Sequence, residues 1–274
     1  TVNTSGIDEN LNKLSSPFDY FRLMKPRVMS LVVFTAFVGY YTAEPVESYD
    51  SHPFLALIGI FAIALGAGAS GVLNQWYDSD IDQLMLRTRD RPIPQGKIQP
   101  ADALSFGVIT SLLSIIILGL SVNWLAASLL AFTILFYAIV YTIWLKRYTV
   151  QNIVIGGAAG AFPPVIGQVC ATGNLGIESF ILFLIIFLWT PPHFWALALI
   201  KKDDYAAANI PMLPIVAGEK LTRKYILIYS FLLVPCSLLP WIFDYAGNLY
   251  LFIAMISGLE FLRRSFLIIK KVEG

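Results

Sequence analysis

Asn74, Asp78 and Asp82 stand four residues apart at the end of a long apolar stretch, and Arg87, Arg89 and Arg91 follow at once. On a helix this spacing puts the three oxygen-bearing side chains on one face, spread over about 12 Å. Such a stripe suits Mg²⁺, which takes carboxylates and substrate phosphates and keeps some of its water. Arginines beside it suit a diphosphate, whose oxygens a guanidinium grips two at a time. Asp80 and Asp90 fit the plainer reading of a charged helix end in water. Asn74 does not, because it lies inside the apolar stretch, where an unpaired amide is costly.

A second acidic pair, Asp203 and Asp204, comes directly after another apolar stretch and the cations Lys201 and Lys202. Adjacent carboxylates repel each other, and a shared cation offsets that. Two acid clusters from two helices would hold metal on both sides of one diphosphate. His193 is the other candidate. It sits within Trp189-Thr190-Pro191-Pro192-His193-Phe194-Trp195, inside an apolar segment whose paired prolines free backbone carbonyls. A histidine among aromatics is usually a hydrogen-bonded core residue, but an ionisable side chain within a membrane span is also a functional candidate. The other histidine, His52, falls in a loop on the opposite side and reads as a solvated surface residue.

The elements that position these groups are membrane helices. The 274 residues are 57% hydrophobic and only 14% charged, with a mean hydropathy of +0.69; a soluble domain carries about 25% charged residues. A hydrocarbon core of about 30 Å needs about 20 apolar residues per helix. Eight such runs occur, at 29–48, 54–76, 103–122, 124–144, 151–171, 179–200, 222–243 and 248–268. The expected fold is all-α, a polytopic transmembrane helix bundle. Residues 1–18 form an N-terminal cytoplasmic segment, and 19–274 form one transmembrane domain whose cytoplasmic loops 77–102 and 201–221 make the active-site face. The segment 1–18 resembles neither a secretory signal peptide nor an Arg-rich transit peptide, and the chain opens on Thr1, so an initiator region is expected to be missing or processed.

Charge sorting sets the sidedness. The connections at 49–53, 123, 172–178 and 244–247 hold no Lys or Arg, and all 19 basic residues are assigned to the N-terminal segment, the alternate loops or the C-terminal tail. The positive-inside rule places that side in the cytoplasm, or in the equivalent compartment of an organelle, with both ends of the chain there because the helix count is even. The expected location is the cell (inner) membrane. Lys97, Lys146 and Arg147 add positive charge on the same side. Cys170 and Cys236 lie in apolar runs and read as buried small hydrophobes. The small-residue runs Gly66-Ala67-Gly68-Ala69-Ser70-Gly71 and Gly156-Gly157-Ala158-Ala159-Gly160 read as close helix packing. The lipid bilayer is the expected environment, and no nucleic-acid partner is expected.

Asn74-Gln75-Trp76-Tyr77-Asp78-Ser79-Asp80-Ile81-Asp82, followed by Arg87-Thr88-Arg89-Asp90-Arg91-Pro92, resembles the first motif of the UbiA superfamily of intramembrane prenyltransferases. Lys25-Pro26-Arg27, the His193 stretch, and Asp203-Asp204-Tyr205 with Ile210-Pro211-Met212-Leu213-Pro214 resemble its protoheme farnesyltransferase branch, the heme O synthases. The likeness covers roughly residues 20–265. It departs from the family in two places. The family has nine membrane helices, so a ninth is expected to lie outside this sequence, and Asn209 stands where Gly is expected. The quinone-forming branches carry a second Asp motif with four-residue spacing, which Asp203-Asp204 lacks.

The resemblance implies transfer of farnesyl from farnesyl diphosphate to a vinyl group of heme b, with water added, giving heme O and pyrophosphate. It implies Mg²⁺ as cofactor, with Asn74, Asp78 and Asp82 on one ion and Asp203 and Asp204 on another. Arg87, Arg91, Lys97, Lys146 and Arg147 would offset phosphate charge, His193 would ligate heme iron or orient the macrocycle, and Lys25 and Arg27 would meet heme propionates or else mark the basic-side interface. A downstream heme-modifying enzyme is an expected partner. Two alternatives stay open: prenylation of an aromatic quinone precursor, and a transporter, although a transporter would spread its charges through the span.

Overall fold

Four helices open on proline, and this punctuation organises the first half of the chain. A proline in the first turn has no amide hydrogen to waste and a backbone angle already helical. In the computed structural model, which describes residues 15–43 and 52–270, these are α1 (Pro17–Leu23), α2 (Pro26–Tyr41), α3 (Pro53–Tyr77) and, after the short α4 (Ser79–Leu84), α5 (Pro100–Ser121). Next comes α6 (Trp124–Leu135), which runs without a break into a π-helix at Phe136–Leu145. Then follow α7 (Asn152–Thr172), α8 (Ile177–Ile200), the short α9 (Lys202–Ala207) and α10 (Leu213–Val216), α11 (Glu219–Cys236), α12 (Leu239–Ile242) and α13 (Asn248–Lys270). The readings made on residues 1–14 and 44–51 lie outside the described residues.

Each of the eight apolar runs carries a helix, with differences that have physical causes. The first is shorter than expected, ending at Tyr41. The seventh is broken between α11 and α12, at Ser237 and Leu238, where Pro235 and Pro240 each remove a backbone donor. The eighth contains Arg263 and Arg264, which corrects their assignment to a tail. Both arginines stay helical through i+3 and i+4 ion pairs to Glu260 at 2.6 and 2.7 Å. Among the described residues, six spans are long and apolar enough to cross a membrane on length and composition; α2 is shorter and α13 carries these charges. The chain is a multi-pass integral membrane protein.

The most enclosed span is α7. It packs against α2 on one side and α8 on the other, α3 packs on α5, and α11 joins α8 to α13. The α2–α7 contact is close: a Cβ added at Gly39 would run into the Pro164 backbone, and one at Gly167 into the Ala36 backbone. Only glycine permits such an approach. The described loops at one end of the bundle are tied together. Arg22 donates to the Asp90 carbonyl at 3.2 Å, Lys25 reaches Asn74, Arg147 reaches Tyr77, and Arg223 donates to the Ile268 carbonyl at 2.9 Å. At the opposite end His52 caps α3, its Nδ1 accepting from the Phe54 amide at 3.2 Å.

Candidate active site

The acid stripe straddles a junction. Asp78 has φ −87° and ψ 7°, ending α3 and starting α4, so the three residues do not share one straight helix. The i−4 bonds nevertheless continue across it, from Asp78 N to Asn74 O at 3.0 Å and from Asp82 N to Asp78 O at 2.8 Å. The stripe survives while the chain turns along the bundle end. All three side chains are buried, Asp78 at 0% exposed, Asp82 at 2% and Asn74 at 3%. Burying carboxylates this deeply demands positive charge.

That charge comes from four side chains on three segments. Lys146, following the π-helix, donates to Asp78 Oδ2. Arg147 stands 3.6 Å from Asp78 Oδ1 and binds Asp80 through two bonds of 2.7 and 2.8 Å. It also donates to the Tyr77 carbonyl at 2.9 Å and lies 4.7 Å over the Tyr77 ring. Arg91 donates to Asp82 Oδ2 at 2.5 Å, and Lys25 to Asn74 Oδ1 at 2.5 Å. The Arg147 bonds pull the Asp80 carboxyl below its ordinary pKa, and the same pair raises Arg147. Burial of the Lys25 ammonium, with Arg91 and Lys146 repelling it, pushes Lys25 down to about 7 against the pull of Asp78 and Asp82.

The residues fit a cation. Asp78 Oδ1 is buried without a hydrogen-bond partner, and the other facing oxygens already meet ammonium or guanidinium groups. An oxygen-only donor set of this kind suits a hard ion such as Mg²⁺.

The other expected residues divide. Asp203 and Asp204 sit in the first turn of α9, one exposed and one half-buried, with no ion pair among the described residues. Their loop meets the first acid loop through one apolar cluster, in which Ile81 and Met85 pack with Tyr205, Ala208, Ile210 and Met212. No three of the described His, Cys, Asp or Glu side chains converge on one ion position. The structure brings the two acid loops together but keeps their carboxylates apart. Lys97 stands away from the acids, 3.8 Å from Asp19 of the α1 capping box. Arg87 and Arg27 are exposed. His193 is exposed too, its ring stacked on Trp189 at 4.3 Å, and it has no hydrogen bond among the described residues.

Asn209 explains its own departure from the expected glycine. Its φ is +51°, a left-handed conformation in which Asn is the commonest substitute for Gly. It ends α9 so that the Ile210 amide can return to the Tyr205 carbonyl at 3.0 Å.

Beside Lys25 opens a cavity of about 120 Å³, walled by α2, α3, α6 and α7 and lined by Val28, Ile63, Leu130, Tyr137, Gly160 and Ile166 among others. It is apolar except where Lys25, Ser70, Thr133 and Tyr137 face it. His193, on α8, is outside its wall. Three residues of this region escaped the sequence reading: Tyr137, Tyr141 and Thr142. Thr142 Oγ1 accepts from Asn74 Nδ2 at 3.1 Å. The Tyr141 ring fills the space where a side chain at Gly156 would be, which gives the second small-residue run its packing role. Their signal was present as Tyr137, Tyr141 and Lys146 in one segment, but an α-helical period hides it.

The arrangement suits a prenyl diphosphate, with acids and cations for its head and an apolar pocket for its tail. The UbiA prenyltransferase family matches residues 32–274. Protoheme IX farnesyltransferase 2 of Mesorhizobium japonicum is 58% identical over 262 residues, covering 95% of this chain and 82% of its own length. Protoheme IX farnesyltransferase of Rhizobium leguminosarum bv. trifolii is 56% identical, covering 95% and 81%. Among solved structures, digeranylgeranylglyceryl phosphate synthase superposes with a TM-score of 0.75 at 22% identity, over 92% of this chain and 87% of that one. A UbiA homologue from Archaeoglobus fulgidus bound to DMAPP and Mg²⁺ superposes with a TM-score of 0.69 at 17% identity, over 91% and 86%. The chain belongs to the UbiA prenyltransferase family, on the branch that its protoheme IX farnesyltransferase relatives define.

Proposed function

We propose that this protein transfers a farnesyl group from farnesyl diphosphate to a vinyl carbon of heme b, and that water completes the reaction to give heme O and pyrophosphate. The observation that carries the head-group assignment is the buried Asn74–Asp78–Asp82 set, ringed by Lys25, Lys146, Arg147 and Arg91. The acceptor is argued from the protoheme IX farnesyltransferase relatives.

Asn74, Asp78 and Asp82 would hold one Mg²⁺, and Asp203 and Asp204 would hold a second. When bound, Mg²⁺ supplies Lewis-acid neutralisation of the departing diphosphate. Lys146, Arg147, Arg91 and Arg87 hold the remaining phosphate oxygens, so the allylic C–O bond breaks with its electron pair going to pyrophosphate. Val28, Ile63, Leu130 and Ile166 keep bulk water from the allylic cation. The vinyl carbon closes the new C–C bond, and one water then takes the cation left on the acceptor and loses a proton. Incubating the protein with heme b, farnesyl diphosphate and Mg²⁺ should give a product heavier than heme b by one farnesyl group and one hydroxyl, read by mass. EDTA should stop its formation and excess Mg²⁺ restore it. Prenylation of a phenolic ring with heme b untouched would transfer the reading to the quinone branch.

His193 offers an imidazole with no hydrogen bond among the described residues, which suits it to iron or to the macrocycle face. His193→Ala should weaken heme binding or change the heme spectrum and leave farnesyl diphosphate affinity within about threefold, less than 1 kcal/mol. A folded variant with the wild-type heme spectrum and affinity removes His193 from the site.

The basic end faces the cytoplasm of a bacterial inner membrane on this reading, which the charge sorting supports. Cysteines placed at 90 and 204 should label from the cytoplasmic face, and one at 175 from the other. Labelling of 90 and 204 from opposite faces would rule out a shared diphosphate.

A further inference from the structure

The π-helix at Phe136–Leu145 is long for its kind, and such turns gather at functional sites. We propose that Thr142, held by this π-helix, is a positioning residue that locks the Asn74 amide with Nδ2 on Asp78 and Oδ1 on Lys25, and so orients the Asp78 carboxylate for the cation; this rests on the metal–diphosphate reading above.

Asn74 has one acceptor and one donor group, and its neighbours use each differently. Nδ2 donates to Asp78 Oδ2 at 2.8 Å and to Thr142 Oγ1 at 3.1 Å. Oδ1 accepts from Lys25 at 2.5 Å. The Thr142 hydroxyl proton is already spent on the Tyr137 carbonyl, at 2.8 Å. Toward Asn74 that hydroxyl can therefore only accept. A flipped amide would turn Oδ1 onto the Asp78 carboxylate and onto an oxygen with no proton to give, and would take away the acceptor that Lys25 Nζ now bonds. The amide therefore has one stable orientation.

The π register makes this possible. Thr142 bonds back five residues to Tyr137, and the Lys146 amide bonds back five to Tyr141. In an α-helix Tyr137 and Lys146, nine residues apart, would be about two and a half turns of 3.6 residues apart and point to opposite sides. The wider turn brings Tyr137 to the cavity and Thr142 and Lys146 to Asn74 and Asp78 along one face. Thr142 is fully buried, so no water substitutes for its oxygen. A residue that orients a metal ligand in this way is worth about 10–100-fold in metal affinity.

The test is Mn²⁺ binding to the purified full chain in the presence of inorganic pyrophosphate, read by electron paramagnetic resonance. Wild type should bind, Thr142→Val should weaken the apparent affinity by about 10–100-fold, and Thr142→Ser, which keeps the hydroxyl, should stay close to wild type. Wild-type affinity in a folded Thr142→Val protein overturns the inference and leaves the metal reading standing. Failure of the wild type itself to bind Mn²⁺ sinks the metal reading and the inference with it. Should valine prevent folding, Thr142→Ala, which leaves space instead of crowding it, decides on the same measurement.

Discussion

Asp78→Ala will give a folded membrane protein that has lost farnesyl transfer by on the order of 10³-fold or more, the scale of removing a principal electrostatic group from an active site. Asp78 is the point where the site's charges meet: Lys146, Arg147 and the Asn74 amide all face its carboxylate. Its Oδ1 has no hydrogen-bond partner. A carboxylate this buried is not there for stability alone, since a well-packed apolar residue would do as well or better. Removing it leaves Lys146 without its partner, but that side chain is 15% exposed and can turn to water. The stability cost should therefore be moderate, about 1–3 kcal/mol, visible as a lower Tm without loss of the folded peak in size-exclusion chromatography. Asp78→Asn should keep more stability and no more activity, because it restores shape without charge. Wild-type turnover in either variant would mean that the buried cluster is a structural ion-pair network and the chemistry lies elsewhere.

How much of this was legible in the sequence depends on the reach of each interaction. The spans were legible because burial in lipid is a local compositional demand, and the prolines at 17, 26, 53 and 100 mark helix starts by their own geometry. The Asn74–Asp78–Asp82 stripe was legible because i+4 spacing survives even the junction at Asp78. The partners of the cations were not. Lys97 follows the acid loop in sequence, yet its ammonium stands by Asp19, because α1 docks on that loop through Leu23 against Ile93 and Ile98. Lys25 was read only against an acceptor's propionates, and its bond to Asn74, a contact spanning 49 residues, was not foreseen. Thr142 was missed for a different reason. A helical wheel drawn at 3.6 residues per turn puts it away from Tyr137, and nothing local in Phe136–Leu145 announces a wider turn.

Two glycines on one face of α7, Gly160 and Gly167, should fail in opposite ways when enlarged. They are seven residues apart, about two turns, so their missing side chains point the same way. At Gly167 the α2 backbone lies against the helix, and an added Cβ would meet the Ala36 carbonyl; at Gly160 nothing lies within 4 Å of one. Between these levels α2 and α7 part, and the cavity that begins at Lys25 occupies the gap. Gly167→Val should cost about 3 kcal/mol or more, at or beyond the upper end of overpacking penalties, because backbone cannot rotate aside as a side chain can. Against a typical stability of about 5–15 kcal/mol, much of the protein would be lost from detergent extracts, and residual turnover would follow the folded fraction. Gly160→Phe should leave the Tm near wild type and lower farnesyl transfer per folded molecule by about 10–200-fold, the range open to a pocket that no longer admits an apolar group. The contrast is the measurement. If Gly160→Phe binds and turns over farnesyl diphosphate normally while folded, the cavity beside Lys25 is not where the prenyl chain lies. The tail would then have to leave the acid site by the α8 side, past the exposed His193.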